Sequence, residues 1–330
     1  MLISIRNVCN FIILSTPSNL EKKEILEVNK THPFTHYMIC TLNRLRIKPN
    51  SIKENNNITN FTILEQINEY DWKEHNFTFL AMFNNEKATL KSDGKIISLT
   101  LESGKKEIFE NLFTFLGMIS YNNPEIHKYI EQFLYLDVQY IGQTEMGNSQ
   151  YLRFKGHEKI NKVSNEIIEN KPNKEVIIKL MSFQKPFTSA MMHPDIISDD
   201  SRRDWLPDGG LIESMPSSDW KTLVEGTLIK YFSPKYNVHF KDNFPSERHS
   251  SYSYFFDKNI RSVSVEMHEE YMAHKTGNDN VQYTRIRLIE YLLKNDEDGV
   301  FLHNNDNQDM DELINMYNKT EERNEYPISF

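Results

Sequence analysis

The sequence predicts an α/β chain of the α+β kind in two or three domains. A strand, a helix and a strand follow one another between residues 132 and 183. Residues 1–125 mix strand-like and helical stretches, and a length of 330 residues exceeds what one small core needs.

Taken in order, the opening "MLISIRNVCNFIILS" is apolar but interrupted by Arg6, Asn7 and Asn10. It falls short of the ~20 apolar residues of a membrane span, so a buried strand is expected. "KPNSIKENNN" reads as an exposed loop, and "NFTFLAMF" and "GKIISLTLES" as strands, the latter alternating Ile97, Leu99 and Leu101 with Ile96, Ser98 and Thr100. "KKEIFENLFTFLGMI" and "NNPEIHKYIEQFLY" read as helices, with Pro124 in a first turn where its missing N–H does no harm. A boundary near residue 125 closes an N-terminal module, 1–125.

A central domain, 126–245, begins with the strand "LYLDVQYIG", ended by Gly142. In "GHEKINKVSNEIIEN", Ile160, Val163 and Ile167 repeat at helical spacing, and "KEVIIKLMSF" is a strand. After a polar insertion at 184–217, "SSDWKTLVEGTLIKYFSPKYN" gives a helix with the stripe Trp220, Leu223, Val224, Thr227, Leu228 and Tyr231, ended by Pro234. The C-terminal extension, 246–330, holds a strand in "IRSVSVEM", a helix in "TRIRLIEYLLKN" and a polar tail.

Two cysteines, Cys9 and Cys40, are too few for a disulfide framework or a four-cysteine zinc site and fit a reducing, cytoplasmic setting. A net charge of -9 argues against indiscriminate nucleic-acid binding. The segment from Arg153 to Lys179 nevertheless concentrates Lys155, Lys159, Lys162, Lys171 and Lys174, a local basic surface able to hold phosphate. Glycine-rich nucleotide loops are absent, and His268 and His274 are spaced wrongly for a helical zinc pair. His193, Asp195, Asp199 and Asp200 read as a solvated loop.

The chemistry concentrates in the central domain. Arg153 and His157, four apart at a helix start, project from one face and can reach one anion. Glu225 stands at the edge of an apolar stripe, an expensive place for an unpaired charge unless a divalent cation neutralises it; a salt bridge to Lys221 or Lys230 is the plain alternative. A tyrosine hydroxyl, a guanidinium, an imidazole and a metal-binding carboxylate together suit phosphodiester hydrolysis.

These residues resemble the GIY-YIG nucleases. Tyr140, Ile141 and Gly142, followed by Gln143 and Thr144, then Arg153 and His157, match the second half-motif. Glu225, Leu228, Ile229, Pro234 and Asn237 match the later signature. The resemblance covers about residues 130–240 and implies a small core with a three-stranded antiparallel sheet flanked by helices. It further implies catalytic roles for Tyr140, Arg153, His157, Glu225 and Asn237, with Glu225 as the ligand of Mg²⁺ or Mn²⁺, Arg153 as the phosphate contact and Asn237 as a structural or orienting residue. Lys155 and Lys159, with Arg202 and Arg203 of "SRRDW", are the candidate substrate contacts.

The family's first half-motif, a Gly-Ile-Tyr strand some ten residues before the Tyr-Ile-Gly, has no counterpart at that spacing: Tyr129 falls in a helix and Tyr121 lies further upstream. The general base therefore stays open among Tyr140, Tyr135 and His157. The resemblance implies an endonuclease with DNA as its default substrate, suited to a mobile-element, restriction or phage-defence setting. Its flanking modules leave room for a protein partner or a homo-oligomer, and no membrane is involved. The alternative is a catalytically silent member of the fold that binds nucleic acid or protein.

Overall fold

The computed structural model describes residues 2–83, 86–93, 96–109, 111–121, 124–144, 158–191, 217–245, 249, 260, 262–269 and 272–292. Strand β1 (Leu2–Ser15) leads through a 3-10 turn and α1 (Lys23–Thr31) to β2 (His36–Asn43). Then come β3 (Leu45–Ile47), β4 (Lys53–Asn55), β5 (Ile58–Gln66), β6 (Trp72–Leu80), β7 (Met82–Phe83), β8 (Glu86–Ser92), β9 (Ile97–Leu101) and β10 (Lys106–Phe109). Helices α2 (Leu112–Tyr121) and α3 (Pro124–Ile130) precede β11 (Tyr135–Gln143), α4 (Glu158–Asn170), β12 (Lys174–Phe183) and β13 (Phe187–Met191). The chain continues with α5 (Ser217–Phe232), β14 (Ser262–His268), β15 (Lys275–Asn278), β16 (Val281–Thr284) and β17 (Ile286–Leu292).

The expected small three-stranded sheet flanked by helices is overturned. Strand makes up 47% and helix 24% of the described residues, so β-structure dominates. The main sheet has nine strands, eight in the order β16-β15-β11-β2-β12-β1-β14-β17, with β13 also pairing with β1. It is mixed: β11 and β15, and β1 and β14, run parallel, whereas β11, β2, β12 and β1 are successive antiparallel neighbours. The eight strands form a nearly closed, barrel-like sheet whose two end strands, β16 and β17, are joined in the chain by Arg285 alone.

The physical reason for the correction is long-range pairing. β1 near one end of the chain and β14–β17 near the other carry inward apolar residues, among them Ile5, Cys9, Val263, Val265 and Ile289, that bury only beside the central strands. β2 and β12 are buried on both faces because helices cover each side. On one side Ile160, Val163 and Ile167 of α4 cluster with Tyr37, Ile39, Val176, Ile178 and Leu180. On the other, α5 touches β11, β14 and β17 and buries Leu223, Val224, Leu228, Ile229 and Phe232.

Between β2 and β11 the chain builds two further antiparallel sheets, β3 and β4 on β5 with β6 beyond it, and β10-β9-β8-β7. Their shared core is aromatic: Phe61 stacks on Phe77 and meets Phe79 and Phe115 edge-on or tilted.

Three local expectations change as well. The described part of "TRIRLIEYLLKN", up to Leu292, is strand, the end of β16 and all of β17, not helix. In β17, Arg287 is buried and Leu288 is 42% exposed, the reverse of what apolar spacing suggests. Arg287 sits over the rings of Tyr231 and Phe232 and donates to the Tyr231 hydroxyl at 2.5 Å and the Thr276 carbonyl at 2.6 Å. Lys106–Phe109 pairs with β9, so the expected helix begins only at Leu112, and Lys53–Asn55 of the expected loop pairs with β5. The 192–216 part of the expected insertion, with His193, Asp195, Asp199 and Asp200, and the polar tail beyond residue 292 lie outside the described residues.

Candidate functional site

β2 and β11 lie side by side in a register that sets Gly142 opposite Tyr37 and Tyr140 opposite Ile39. The Tyr37 and Tyr140 rings are 5.9 Å apart at 36°. Gly142 makes this approach possible, since a Cβ there would lie 2.8 Å from Tyr37 Cζ and Oη and 2.9 Å from Tyr140 Cε1. Burial, then the neighbouring Tyr140 oxygen, pushes the Tyr37 phenol up. Burial, then the Glu225 charge, raises Tyr140, while the hydrogen bond from Tyr37 works the other way.

Glu225 comes from α5. Trp220, Leu223, Val224, Leu228 and Ile229 fix the helix by burial, which leaves Glu225 half-buried at the end of β11. There the Gln143 side-chain amide donates to Glu225 Oε2 at 2.7 Å and to Thr222 Oγ1 at 3.3 Å. Burial raises the Glu225 carboxyl above its ordinary value, only partly offset by the bonds from Gln143. Among the described residues no cation pairs with Glu225; Lys221, its own acidity enhanced by burial, has its Nζ 5.9 Å from the Trp220 ring centroid.

Asn237 is buried and faces the main chain of Ile141: its Nδ2 donates to the Ile141 carbonyl at 2.8 Å and its Oδ1 accepts from the Ile141 N–H at 2.9 Å. With the Tyr236 N–H on the Gln139 carbonyl at 3.0 Å, the segment after α5 is clipped along the Tyr-Ile-Gly strand. Lys159, in the first turn of α4, holds its Nζ 5.8 Å from the Tyr140 ring centroid.

Of the sequence-predicted site residues, Tyr140, Glu225, Asn237 and Lys159 therefore gather around the end of β11. Arg153, Lys155, His157, Arg202 and Arg203 lie outside the described residues. Tyr135, one candidate base, is five residues back along β11, roughly 16 Å at strand rise, and packs on Tyr283 with ring centroids 5.1 Å apart. Sequence reasoning missed Tyr37. Its signal was a tyrosine in the apolar run "FTHYMIC", but the two additional sheets separate it from Tyr140, where the family spacing pointed some ten residues upstream.

Elsewhere, Lys179, Glu269, His274 and Thr276 form a sealed polar cluster. Among the described residues no group of three or more His, Cys, Asp or Glu side chains is placed to hold a metal, and no helix is long and apolar enough to cross a membrane. Comparison with protein-family models, curated proteins and solved structures finds no match to this chain.

Proposed function

We propose that this chain is a metal-dependent endonuclease of the GIY-YIG kind that hydrolyses phosphodiester bonds, with DNA as its default substrate. One observation carries the reading: Tyr140 of the Tyr-Ile-Gly strand and Glu225 of the later helix, distant in sequence, meet at one strand end beside a second tyrosine, Tyr37. Tyr37 supplies the strand-borne tyrosine that the missing first half-motif left unfilled.

Glu225 suits Mg²⁺ or Mn²⁺ by its donor chemistry, a half-buried carboxylate with no cation partner among the described residues. Such an ion, when bound, supplies charge stabilisation on the phosphate. Tyr140 is the better placed phenol to take a proton from water, because it is half-buried where Tyr37 is fully buried. The Glu225 charge opposes that ionisation, and neutralising the charge removes the opposition. Lys159 lies at hand for the backbone, and Arg153, by resemblance, contacts the scissile phosphate.

Supercoiled plasmid, single-stranded DNA and RNA, each incubated with Mg²⁺, Mn²⁺ or chelator, test the proposal. Metal-dependent cutting of DNA is expected, lost in Glu225→Gln and strongly reduced in Tyr140→Phe. Folded wild type that binds DNA in a salt-sensitive way and cuts nothing would establish the silent binding module instead.

A further inference from the structure

The end of β11 carries a side chain whose role in the nuclease reading is so far unassigned. The Gln143 amide nitrogen has two hydrogens, and both are engaged on α5, one by Glu225 Oε2 at 2.7 Å and one by Thr222 Oγ1 at 3.3 Å. Two contacts thus tie a strand end to one turn of a helix that is distant in sequence.

We infer that Gln143 is a positioning residue, fixing the Glu225 carboxylate for a divalent cation; the inference rests on the metal-site reading of Glu225. An ionised carboxylate offers about four lone-pair directions. The Gln143 amide, itself anchored on Thr222, takes up one of them at Oε2 and leaves the other directions to a cation. A hydrogen bond donated to a carboxylate oxygen also favours its ionised form. Partners that orient a metal ligand in this way typically govern affinity by about 10–100-fold.

The test compares wild type, Gln143→Leu, Gln143→Asn and Glu225→Gln, with folding checked by circular dichroism. Mn²⁺ binding is read by electron paramagnetic resonance, and plasmid nicking is followed against Mn²⁺ concentration and pH. Gln143→Leu is expected to raise the Mn²⁺ half-saturation by about 10–100-fold and to move the acid limb of the rate profile to higher pH, with the rate at saturating Mn²⁺ within a few-fold of wild type. Gln143→Asn, whose amide is drawn back by one methylene, moves both readouts in the same direction by less. If wild type binds Mn²⁺ through Glu225 while both Gln143 variants keep its half-saturation and acid limb, the inference is overturned and the metal site stands. If wild type binds no Mn²⁺, the metal-site reading fails and the inference with it.

Discussion

Glu225 meets the amide of Gln143 at the half-open end of β11, whereas Glu269, just past β14, is enclosed with the Lys179 ammonium, the His274 ring and the Thr276 hydroxyl. The same side chain titrates in opposite directions in the two places. Burial alone raises both. At Glu269 the charge of Lys179 and the bond from His274 outweigh burial and hold the carboxyl at about 2. At Glu225 neutral donors do not outweigh it, and the carboxyl stays above its ordinary value. The difference separates two uses of a buried acid: Glu269 ties β12 to the turn before β15, while Glu225 has, among the described residues, no counter-charge, which a divalent ion can bring.

The largest effect expected from this contrast is at Lys179, which is fully buried on β12. Lys179→Leu strands the Glu269 charge and should lower unfolding free energy in urea by about 3–5 kcal/mol. Adding Glu269→Leu should recover most of that loss, because removing both charges also removes their desolvation. A single-variant loss below about 1 kcal/mol would break the comparison by making Glu269 no more dependent on its partner than Glu225.

Glu225→Gln should do the reverse. Cleavage is expected to fall by roughly 10²–10³-fold, equivalent to about 3–4 kcal/mol of transition-state stabilisation. Stability at pH 8 without metal is expected to rise by about 0.5–2 kcal/mol. The sign follows from linkage: the folded state disfavours ionised Glu225, so its cost appears above the raised folded value and vanishes when the pH falls below the unfolded one. Melting temperatures at pH 8 and pH 4 check this, the gain being confined to the higher pH.

Acid titration sharpens the contrast. His36 is buried between the Thr35 hydroxyl and the Lys221 carbonyl, and burial holds its imidazole down at about 4 against an ordinary 6.5. A base depressed on folding contributes stability above its unfolded value and loses it as the pH falls from 6.5 to about 4, here roughly 3 kcal/mol at about 1.36 kcal/mol per pKa unit. Glu269 follows in a lower window, its contribution fading from the ordinary carboxylate range down to about 2. Denaturant titrations at half-unit pH steps should therefore show two successive losses, the upper one removed in His36→Gln.

The part of the candidate site formed by Tyr140, Glu225 and Asn237 was legible because its signals are local. A tyrosine before a strand-ending glycine, a glutamate at the edge of a helical apolar stripe and an asparagine after a helix-ending proline all sit within one element or one turn. Tyr37 was not legible, since only the antiparallel register of β2 and β11 brings it to Gly142, and residues 44–134 intervene. The size of the sheet was hidden for the same reason: the partners of β1 are β12, β13 and β14, and no periodicity within β1 names them. β17 misled more actively, because Arg287 occupies an inward position through its ring contacts and carbonyl bonds while Leu288 faces out. Hydrophobic spacing has no means of scoring a buried guanidinium as core.

The smallest effect tests whether the two glutamate environments differ in rigidity as well as charge. Asn237 holds both main-chain groups of Ile141, the residue between Tyr140 and Gly142, as a neighbouring strand would. Asn237→Ala leaves a buried N–H and a buried C=O without these bonds, which should cost about 1–3 kcal/mol of stability. Asn237→Asp keeps the acceptor for the N–H but sets an oxygen against the Ile141 carbonyl, so it should lose at least as much. If the clip matters only for folding, both variants lower the melting temperature and leave the cleavage rate of the folded fraction unchanged. If it also sets the phenol of Tyr140 against Glu225, the rate falls by a further factor of about ten, since a displacement near 1 Å at a reacting group is costly. That second result would place Asn237 with Glu225 as part of the site, whereas the first would place it with Glu269, as a structural tie.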